Sequence, residues 1–209
     1  MNILCELTLS CYPTNRLCNS GEERIQQYIN GLNNFFELNK DNEFDILITD
    51  NTISDKLPQE ILNVIPDRCN IITCMNNNYG CINKGAGIIE QWNYNKELLE
   101  KYQWLIHFEP RQLLQNNNFI NSFLENPRNL FNKSNTIDGF NTGLFCIEIK
   151  TLMDYMNQVT PKSLVVIYES IKKSLYNYFI NKDIKFDTID KMGLIWYNDM
   201  NIYNKTQLM

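Results

Sequence analysis

The side chains best suited to chemistry lie near the middle of the chain, where His107 and Glu109 follow a short apolar run. That run, WLI at 104–106, predicts a strand, and Pro110 ends it because proline cannot donate a hydrogen bond to a neighbouring strand. Side chains two residues apart on a strand point to the same side, so we expect His107 and Glu109 to share one face. An imidazole and a carboxylate held together can bind Mn²⁺, whereas Mg²⁺ prefers oxygen ligands.

A second group of interest, Asn83-Lys84-Gly85-Ala86-Gly87, opens a predicted helix. The N–H groups at a helix N-terminus bind anions, and small residues let a ligand approach the backbone closely. We therefore expect Asn83, Lys84 and Gly85 to contact phosphate, with Arg111 adding positive charge. The segment lacks the Gly-Lys-Ser/Thr ending of a P-loop. The alternative is an asparagine cap on a helix whose glycines pack against a neighbouring element.

The pattern of apolar residues predicts strands and helices that alternate along the first half of the chain. Strands are predicted at 1–10, 44–49 and 70–74, and the last of them is expected to be buried. A helix from Glu22 and a short helix before Pro66 separate them. This order indicates parallel strands joined by right-handed crossovers. In the second half we predict a helix at 119–124, a loop at 128–140, a strand at 142–149 and helices at 150–157 and 163–181. An extended tail is predicted to follow them.

Polar residues follow the first two predicted strands. Asp50 ends the second strand, while Thr8, Ser10 and Arg16 lie at or after the end of the first. Open α/β sheets bind ligands at the carboxyl ends of their strands, so the Asp50 carboxylate is well placed to accept hydrogen bonds from a base or a ribose. We also expect Thr8, Ser10 and Arg16 to contact the ligand that binds there. The alternative for Asp50 is a role in forming the turn, which is common for aspartate.

A polar Asn-any-any-Gly turn, the NKGAG helix start and a hydrophobic strand ending in a triplet together resemble the donor half of a GT-A fold glycosyltransferase. The resemblance covers about residues 1–200 and is closest to small viral and bacterial members, including the first domain of a multidomain chlorovirus glycosyltransferase. It implies an α/β, GT-A-like (Rossmann-like) fold with a mixed, mostly parallel sheet flanked by helices. The family triplet is usually Asp-any-Asp and holds a divalent metal on the nucleotide-sugar diphosphate. In this chain His107-Phe108-Glu109 stands in the place of that triplet, and all three residues are expected at the donor site.

The resemblance also implies roles for the residues of the donor half. Asp50 is expected to contact the nucleoside, and Lys84 the diphosphate or the nucleoside. Glu109 and His107 are the expected ligands of Mn²⁺ or Mg²⁺, although the second carboxylate of the family triplet is missing. The alternatives are a direct hydrogen bond from His107 to phosphate and a surface ion pair between Glu109 and Arg111.

The acceptor half is implied to lie towards the end of the chain. In the family, the segment that matches Asn141-Thr142-Gly143 lines the donor sugar and the acceptor pocket. Glu169, on the helix predicted over 163–181, matches the acidic residue that acts as general base in inverting members. Asp138 is the second candidate for this base. The structural alternative for Glu169 is an ordinary solvated glutamate. The alternative for the segment that contains Asn141-Thr142-Gly143 is a glycine turn that leads into a buried strand.

Composition limits the remaining possibilities. With 209 residues and 44% apolar content, we expect a single domain over 1–209, with a donor half at about 1–111 and an acceptor half at about 112–209. A net charge of −5 without basic runs argues against nucleic-acid binding. The seven cysteines include no CxxC pair. We find no signal peptide or transmembrane segment, so a reduced chain in a cytoplasm is expected, that of the host if the protein is viral.

With the resemblance, the sequence favours a hexosyltransferase-like glycosyltransferase that moves a sugar from a nucleoside-diphosphate sugar, such as a UDP-sugar, to a hydroxyl of a glycan or small acceptor. One alternative is a nucleotidyltransferase acting on sugar phosphates. Such enzymes normally carry a Gly-rich basic motif directly after the first strand, which CYPTNRLCNSG does not supply. The other alternative is a non-catalytic nucleotide- or sugar-binding module, which the altered triplet favours.

Overall fold

The computed structural model describes residues 2–13, 21–133, 138–197 and 206–208, so the predicted donor residue Arg16 lies outside the described residues. The strands are β1 (Ile3–Leu9), β2 (Asp45–Asp50), β3 (Asn70–Thr73), β4 (Trp104–Phe108), β5 (Leu113–Leu114), β6 (Leu130–Phe131), β7 (Leu144–Glu148), β8 (Asp187–Thr188), β9 (Leu194–Tyr197) and β10 (Thr206–Leu208). The helices are α1 (Gly21–Leu38), α2 (Gln59–Leu62), α3 (Lys84–Tyr94), α4 (Lys96–Leu99), α5 (Asn118–Glu125), α6 (Ile149–Gln158), α7 (Pro161–Val166) and α8 (Ile171–Asn181). Within the described ranges, no helix has both the length and the apolar character that crossing a membrane requires.

Seven of these strands form one sheet, in the spatial order β3-β2-β1-β4-β7-β6-β8. β1 pairs in parallel with β2 on one side and with β4 on the other, and β2 pairs in parallel with β3. β7 runs antiparallel to its two neighbours, β4 and β6. The predicted fold class, a mixed and mostly parallel sheet flanked by helices, is therefore confirmed.

Helices cover both faces of the sheet because successive side chains of each central strand point to opposite sides. In β1, Leu7 belongs to the core layer that contains Phe35 of α1. Leu4 belongs to the opposite layer, together with Trp92 of α3. Every residue of β1 is buried, as expected for a parallel strand between two helical layers. Each large apolar side chain buried in this way contributes about 1.5–3 kcal/mol to stability.

The carboxyl ends of β1 and β4 lie side by side where the chain changes direction across the sheet. From β1 the chain proceeds through β2 to β3 on one side, and it returns to β4 on the other. Adjacent parallel strands whose connections leave in opposite directions form a crevice outside their carboxyl ends. Residues 8–10 and 109–111 meet at this crevice, so the topology determines where the site lies.

The helix predicted over 163–181 is in fact two helices, α7 and α8. Ser170 caps α8 by accepting a hydrogen bond from a backbone N–H of its first turn. Tyr168, between the two helices, has a left-handed φ of 53° that a continuous helix would not allow. Ile167 continues the apolar period of α8 but is 61% exposed. Periodicity alone could not predict the break, because the apolar spacing continues across it.

Three smaller predictions concern β3, the loop at 128–140 and the extended tail. β3 is not buried as predicted, because it is an edge strand with a single neighbour and its residues are exposed or half-buried. The loop predicted over 128–140 contains the short strand β6. The extended tail is confirmed in its described part, since β9 pairs with both β5 and β10 in a second, three-stranded sheet.

Helix α1 packs closely against the chain that follows β4. A methyl group at Gly31 would lie 1.6 Å from the carbonyl oxygen of Pro110 and 3.0 Å from that of Gln112. Both are backbone atoms, so no side-chain rotation can relieve the overlap. Glycine at position 31 therefore lets α1 support the turn that carries Arg111.

We predict that Gly31→Ala destabilises the protein by about 1–3 kcal/mol, as overpacking does, although alanine is intrinsically better in helices by about 1 kcal/mol. Each kcal/mol lowers the Tm of a chain of this size by about 2–4 °C. Gly21→Ala is the control, because the nearest atom at that position, in the Tyr12 ring, would be 3.6 Å away. Thermal unfolding of both variants checks the prediction. Equal stability of the two would contradict the close packing of α1 on residues 110–112.

Candidate functional site

A cleft opens at the carboxyl ends of β1 and β4 and has a volume of about 630 Å³, counted out to its open mouth. Its walls are the loop after β1, the start of α3 with the turn before it, and the segment after β4. Of the residues predicted for the donor site, it brings together Thr8, Ser10, Lys84, Glu109 and Arg111.

Helix α1 fixes the wall that follows β1. Arg24 and Tyr28, one helical turn apart, both bind the backbone of Ser10. The Tyr28 hydroxyl accepts a hydrogen bond from Ser10 N at 2.7 Å, and Arg24 Nε donates one to Ser10 O. Both side chains line the cleft although they are only 4% and 1% exposed. Burial raises the pKa of Tyr28, so its hydroxyl stays protonated.

Asp50 does not line the cleft, which corrects the expected placement against the nucleoside. Its carboxylate is fully buried and accepts hydrogen bonds from Cys11 N at 2.8 Å, Thr52 N at 2.6 Å and Thr52 Oγ1 at 2.6 Å. These bonds join the loops that follow β1 and β2. The next residue, Asn51, lines the cleft instead. Asp50 therefore holds the two loops in place without lining the cleft, as the turn-forming alternative predicts.

The turn before α3 is held by Glu90. Its carboxylate oxygens accept hydrogen bonds from Tyr79 N at 3.0 and 3.2 Å and from Gly80 N at 3.0 Å. A methyl group at Gly80 would lie 1.7 Å from Asn77 Oδ1 and 2.7 Å from the Cα of Gly87. Glycine is needed at position 80 because the turn and the helix approach each other so closely. Asn77, Gly80 and Gly87 all line the cleft.

Asn83 and Gly85 organise α3 and do not line the cleft, so the capping alternative holds for them. Asn83 Oδ1 accepts hydrogen bonds from two N–H groups of the first turn, at 2.9 and 3.4 Å. Its Nδ2 donates to the carbonyl oxygen of Glu169 at 2.9 Å. A methyl group at Gly85 would lie 2.6 Å from the Cβ of Ile171 in α8. Lys84, between them, is exposed and reaches the cleft.

Glu109 and Arg111 form an ion pair inside the cleft. Arg111 Nη2 and Nε donate hydrogen bonds to Glu109 Oε1 at 2.7 and 3.0 Å. The Arg111 side chain is 6% exposed and that of Glu109 is 30% exposed. Burial acts to raise the pKa of Glu109, but the charge and hydrogen bonds of Arg111, together with the charges of Lys84 and Arg24, hold that pKa below its ordinary value. Glu109 is therefore ionised at neutral pH.

The expected pairing of His107 with Glu109 does not form. β4 ends at Phe108, so strand alternation no longer governs the direction of Glu109. The His107 imidazole is fully buried, with Nδ1 3.2 Å from Glu6 Oε2 and the ring stacked on Phe145 at a centroid distance of 4.8 Å. Phe108, also expected at the donor, is fully buried and stacks on a phenylalanine of α1 at 5.6 Å. Both residues belong to the core.

The residues around the cleft do not fit the expected divalent metal. Among its described lining residues, Glu109 alone carries a carboxylate, and Arg111 already binds one of its oxygens. His107, the other expected ligand, is buried against Glu6. The parts of the chain that the structure describes contain no group of three or more His, Cys, Asp and Glu side chains that could share an ion.

Asn141, Thr142 and Gly143, expected on the acceptor side, do not line the cleft. Asn141 and Thr142 are buried. The carbonyl oxygen of Gly143 accepts a hydrogen bond from Glu109 N at 2.8 Å. A methyl group at Gly143 would lie 2.2 Å from Gln112 Nε2. This segment therefore supports the turn that carries Glu109.

The two candidate bases flank the first turn of α8. Glu169 lies directly before the cap of α8, is half-buried, and accepts a long hydrogen bond of 3.5 Å from Asn177 Nδ2. Asp138 is exposed and precedes Gly139, at which a methyl group would lie 3.0 Å from the carbonyl oxygen of Lys172. The geometry thus brings Glu169 and Asp138 to one end of one helix, although they are 31 positions apart in the printed chain.

Sequence analysis missed several residues of the cleft, among them Arg24, Tyr28, Asn51 and Gln91. The available signal for Arg24 was its spacing from Tyr28, which places a charged side chain on the buried face of α1. Gln91 Nε2 donates to carbonyl oxygens at the ends of β1 and β2, at 3.0 and 3.4 Å. No local pattern in the sequence indicates such a contact.

Comparison with known proteins gives no matching family model and no matching curated protein. Solved structures do match. One is a protein of Desulfovibrio desulfuricans G20 provisionally assigned as a nucleotide-diphospho-sugar transferase (TM-score 0.60, 7% identity, 91% of this chain and 80% of that one). Another is core-mannan synthase A of Aspergillus fumigatus in its Mn/GDP form (TM-score 0.61, 9% identity, 100% of this chain and 78% of that one). A third is the 4-diphosphocytidyl-2C-methyl-D-erythritol synthase of Anaerococcus prevotii (TM-score 0.55, 11% identity, 90% of this chain and 86% of that one).

At this level of identity the likenesses define the fold and nothing further. The chain has a GT-A-like α/β fold, which it shares with the Desulfovibrio and Aspergillus structures. The cleft lies at the switch point of its parallel strands, where folds of this kind bind ligands.

We predict that Glu109→Gln lowers the free energy of unfolding at pH 7, because the ion pair between Glu109 and Arg111 is then lost. The folded-state pKa of Glu109 is lowered, so the stabilisation is present above the ordinary glutamate pKa of about 4.3. It is lost as the pH falls through the lowered folded-state pKa. The difference in stability between wild type and variant should therefore shrink as the pH falls below the ordinary glutamate pKa.

Urea unfolding across this pH range measures the effect. Glu37→Gln is the control, because Glu37 and Lys40 form an ion pair of 3.4 Å whose side chains are 76% and 64% exposed. Such pairs contribute little, so this variant should match the wild type at every pH. A stability difference for Glu109→Gln that does not change with pH would contradict the ion pair with Arg111.

Proposed function

We propose that the protein is a glycosyltransferase that binds a nucleoside-diphosphate sugar in this cleft and transfers the sugar to a hydroxyl of a glycan or small acceptor. The observation that carries the proposal is that Ser10, Lys84, Glu109 and Arg111 meet in one cleft at the switch point of the sheet. Support comes from the fold, which is shared with a nucleotide-diphospho-sugar transferase and with core-mannan synthase A.

The charges of the cleft suit the departure of a diphosphate. Transfer of a sugar breaks the bond between its anomeric carbon and a phosphate oxygen, and the electron pair stays on that oxygen. Cations and N–H donors fixed in advance stabilise the charge that develops there. Arg24 is fixed by Ser10 and Arg111 by Glu109, and both arginines line the cleft with Lys84.

The acceptor is proposed to bind beside the first turn of α8. In an inverting reaction a general base takes the proton of the acceptor hydroxyl while its oxygen attacks the anomeric carbon. Glu169 is the first candidate for this base, since its carbonyl oxygen is bound to Asn83, next to Lys84 of the cleft. Asp138 is the second. Gly143 enters this proposal as a residue that positions Glu109, because its carbonyl oxygen accepts a hydrogen bond from Glu109 N.

A nucleotidyltransferase acting on sugar phosphates is the second candidate function. The observation that favours it is the likeness to the diphosphocytidyl-methylerythritol synthase structure. The products distinguish the two reactions, because glycosyl transfer releases a nucleoside diphosphate whereas nucleotidyl transfer releases pyrophosphate. A non-catalytic binding module would release neither. The narrower expectations, a hexose, a UDP-sugar, kinship with the chlorovirus domain and a cytoplasmic setting, stay predictions of the resemblance.

We predict that one donor from a panel of UDP-, GDP-, ADP- and CDP-sugars binds selectively and raises the Tm. Binding at a hundredfold excess over Kd stabilises a protein by about 2.7 kcal/mol. Arg111→Met should weaken that binding about 10- to 100-fold, as loss of a charged hydrogen-bonding group does. Thermal shift followed by calorimetry measures both effects.

Arg128→Met is the matched control for this variant. Arg128 forms an ion pair with Asp187 at 2.7 Å and does not line the cleft. Donor affinity should therefore be unchanged. A panel in which no nucleotide sugar shifts the Tm would contradict the donor site. Equal weakening by the two arginine variants would show that the donor binds elsewhere.

We predict that Glu169→Gln slows sugar transfer by about 10²–10⁴-fold, the usual effect of removing a general base, and leaves donor affinity unchanged. The measurements are the rate of nucleoside-diphosphate release with saturating acceptor and the Kd of the donor. Asp138→Asn serves as the comparison within the same helix end. Transfer at the wild-type rate in Glu169→Gln would exclude Glu169 as the base. A slow Asp138→Asn variant would then assign that role to Asp138.

A further inference from the structure

The side-chain amides of Asn51 and Gln91 are held in one orientation by the wall of the cleft. Asn51 Nδ2 donates hydrogen bonds to the carbonyl oxygens of Asn76 at 3.0 Å and Gly87 at 2.9 Å. Gln91 Nε2 donates to two carbonyl oxygens at the ends of β1 and β2, at 3.0 and 3.4 Å. A carbonyl oxygen can only accept, so these contacts determine which end of each amide is nitrogen and which is oxygen.

The oxygen of each amide is therefore the atom that remains for a ligand. Both residues line the cleft, and each is only 3% exposed. Within the described ranges no donor binds Asn51 Oδ1 or Gln91 Oε1, yet neither oxygen is sealed off from solvent. A few fixed polar groups in a largely buried wall are the feature by which a pocket orients its ligand. Here both groups are acceptors, so they call for N–H or O–H groups on the ligand.

The two acceptors lie close to each other beside helix α3. One carbonyl oxygen that binds the Asn51 amide belongs to Gly87, which lies one helical turn before Gln91 on the same face of α3. Gly87 also lines the cleft. Because this position has no side chain, a flat ligand can approach the helix backbone and reach both oxygens.

This wall of the cleft is uncharged. Lys84 lies seven positions before Gln91, which corresponds to about 10 Å along a helix. The other charged lining residues come from α1 and from the segment after β4. Amide oxygens repel phosphate oxygens, so this wall suits the base of a nucleotide and leaves the phosphates to the charged side. Besides the two amides, β1 and α3 contribute to the lining the neutral residues Thr8, Leu9, Gly87 and Ile88.

From these contacts we infer that Asn51 and Gln91 recognise the nucleobase of the donor and select guanine. Two acceptors side by side match guanine, which carries two donors side by side, N1–H and the 2-amino group. Uracil has a single N–H between two carbonyl oxygens, while adenine and cytosine have one amino group beside a ring nitrogen that only accepts. The inference rests on the proposed donor function for the presence of a nucleotide. It favours a GDP-sugar over the UDP-sugar expected from the resemblance.

Calorimetric titration with GDP, ADP, CDP and UDP tests the inference, each in EDTA and again with Mn²⁺. We expect GDP to bind most tightly and UDP to bind about 10- to 100-fold more weakly, because a carbonyl oxygen of uracil then faces an acceptor of the wall. Binding of any of the other three nucleotides as tightly as GDP would overturn the inference and leave the donor function standing. Failure of all four to bind under both conditions would overturn the donor function as well.

Analogues of GDP test the same contacts in the unaltered protein. Inosine diphosphate lacks only the 2-amino group, so we expect it to bind about 10- to 100-fold more weakly than GDP. The matched control is 7-deaza-GDP, which is altered on the opposite edge of the base, keeps both donors and should have the Kd of GDP. Equal Kd values for GDP and inosine diphosphate would overturn the inference. Loss of affinity in 2′-deoxy-GDP but not in inosine diphosphate would assign the two oxygens to the ribose and would also overturn it.

Gln91→Met tests one of the two acceptors, because methionine keeps the length of the side chain and removes its oxygen. Gln91 also holds the ends of β1 and β2, so a purely structural role would weaken all nucleotides equally. We expect the ratio of the UDP and GDP Kd values to fall about 10-fold. Gln158→Met is the matched control, since Gln158 is exposed on α6 and does not line the cleft, and it should leave the ratio unchanged. An unchanged ratio in a Gln91→Met protein that shows a normal unfolding transition would overturn the role of Gln91, and the analogue series tests the inference without any variant.

Discussion

A carboxylate in the core, Glu6, joins the three elements whose ends form the cleft. Glu6 lies in β1, accepts a hydrogen bond from Trp92 Nε1 of α3 at 2.9 Å, and lies 3.2 Å from His107 Nδ1 of β4. Burying a carboxylate is costly unless it is hydrogen-bonded. These contacts therefore fix α3 and β4 against β1. The separation of Lys84 from Arg111 across the cleft depends on that arrangement.

This network explains which parts of the structure could be predicted from the sequence. The strands and helices from β1 to β4 depend on apolar spacing within each element, and that spacing is visible locally. The role of His107 was not visible, because its partner Glu6 lies 101 residues away. The same holds for Asp50, whose carboxylate binds the backbone of Cys11 across 39 positions. Strand alternation placed Glu109 beside His107, but the strand ends one residue before Glu109.

The cationic residues that line the cleft illustrate the same limit from the opposite direction. Lys84 and Arg111 could be predicted as site residues because each follows a recognisable helix start or strand end. Arg24 could not, since it lies within α1 and reaches the cleft only through the packing of that helix. Gly31 permits α1 to approach the turn at 110–112. A close helix contact that depends on glycine thus brings a further charge to the cleft.

The central claim is that a nucleoside diphosphate binds between the ends of β1 and β4. Backbone amide hydrogen exchange, with and without the tightest-binding nucleoside diphosphate, tests it most directly. The account predicts increased protection in 8–12, 77–88 and 109–112. Protection confined to other regions, with these segments unchanged by saturating ligand, would contradict it.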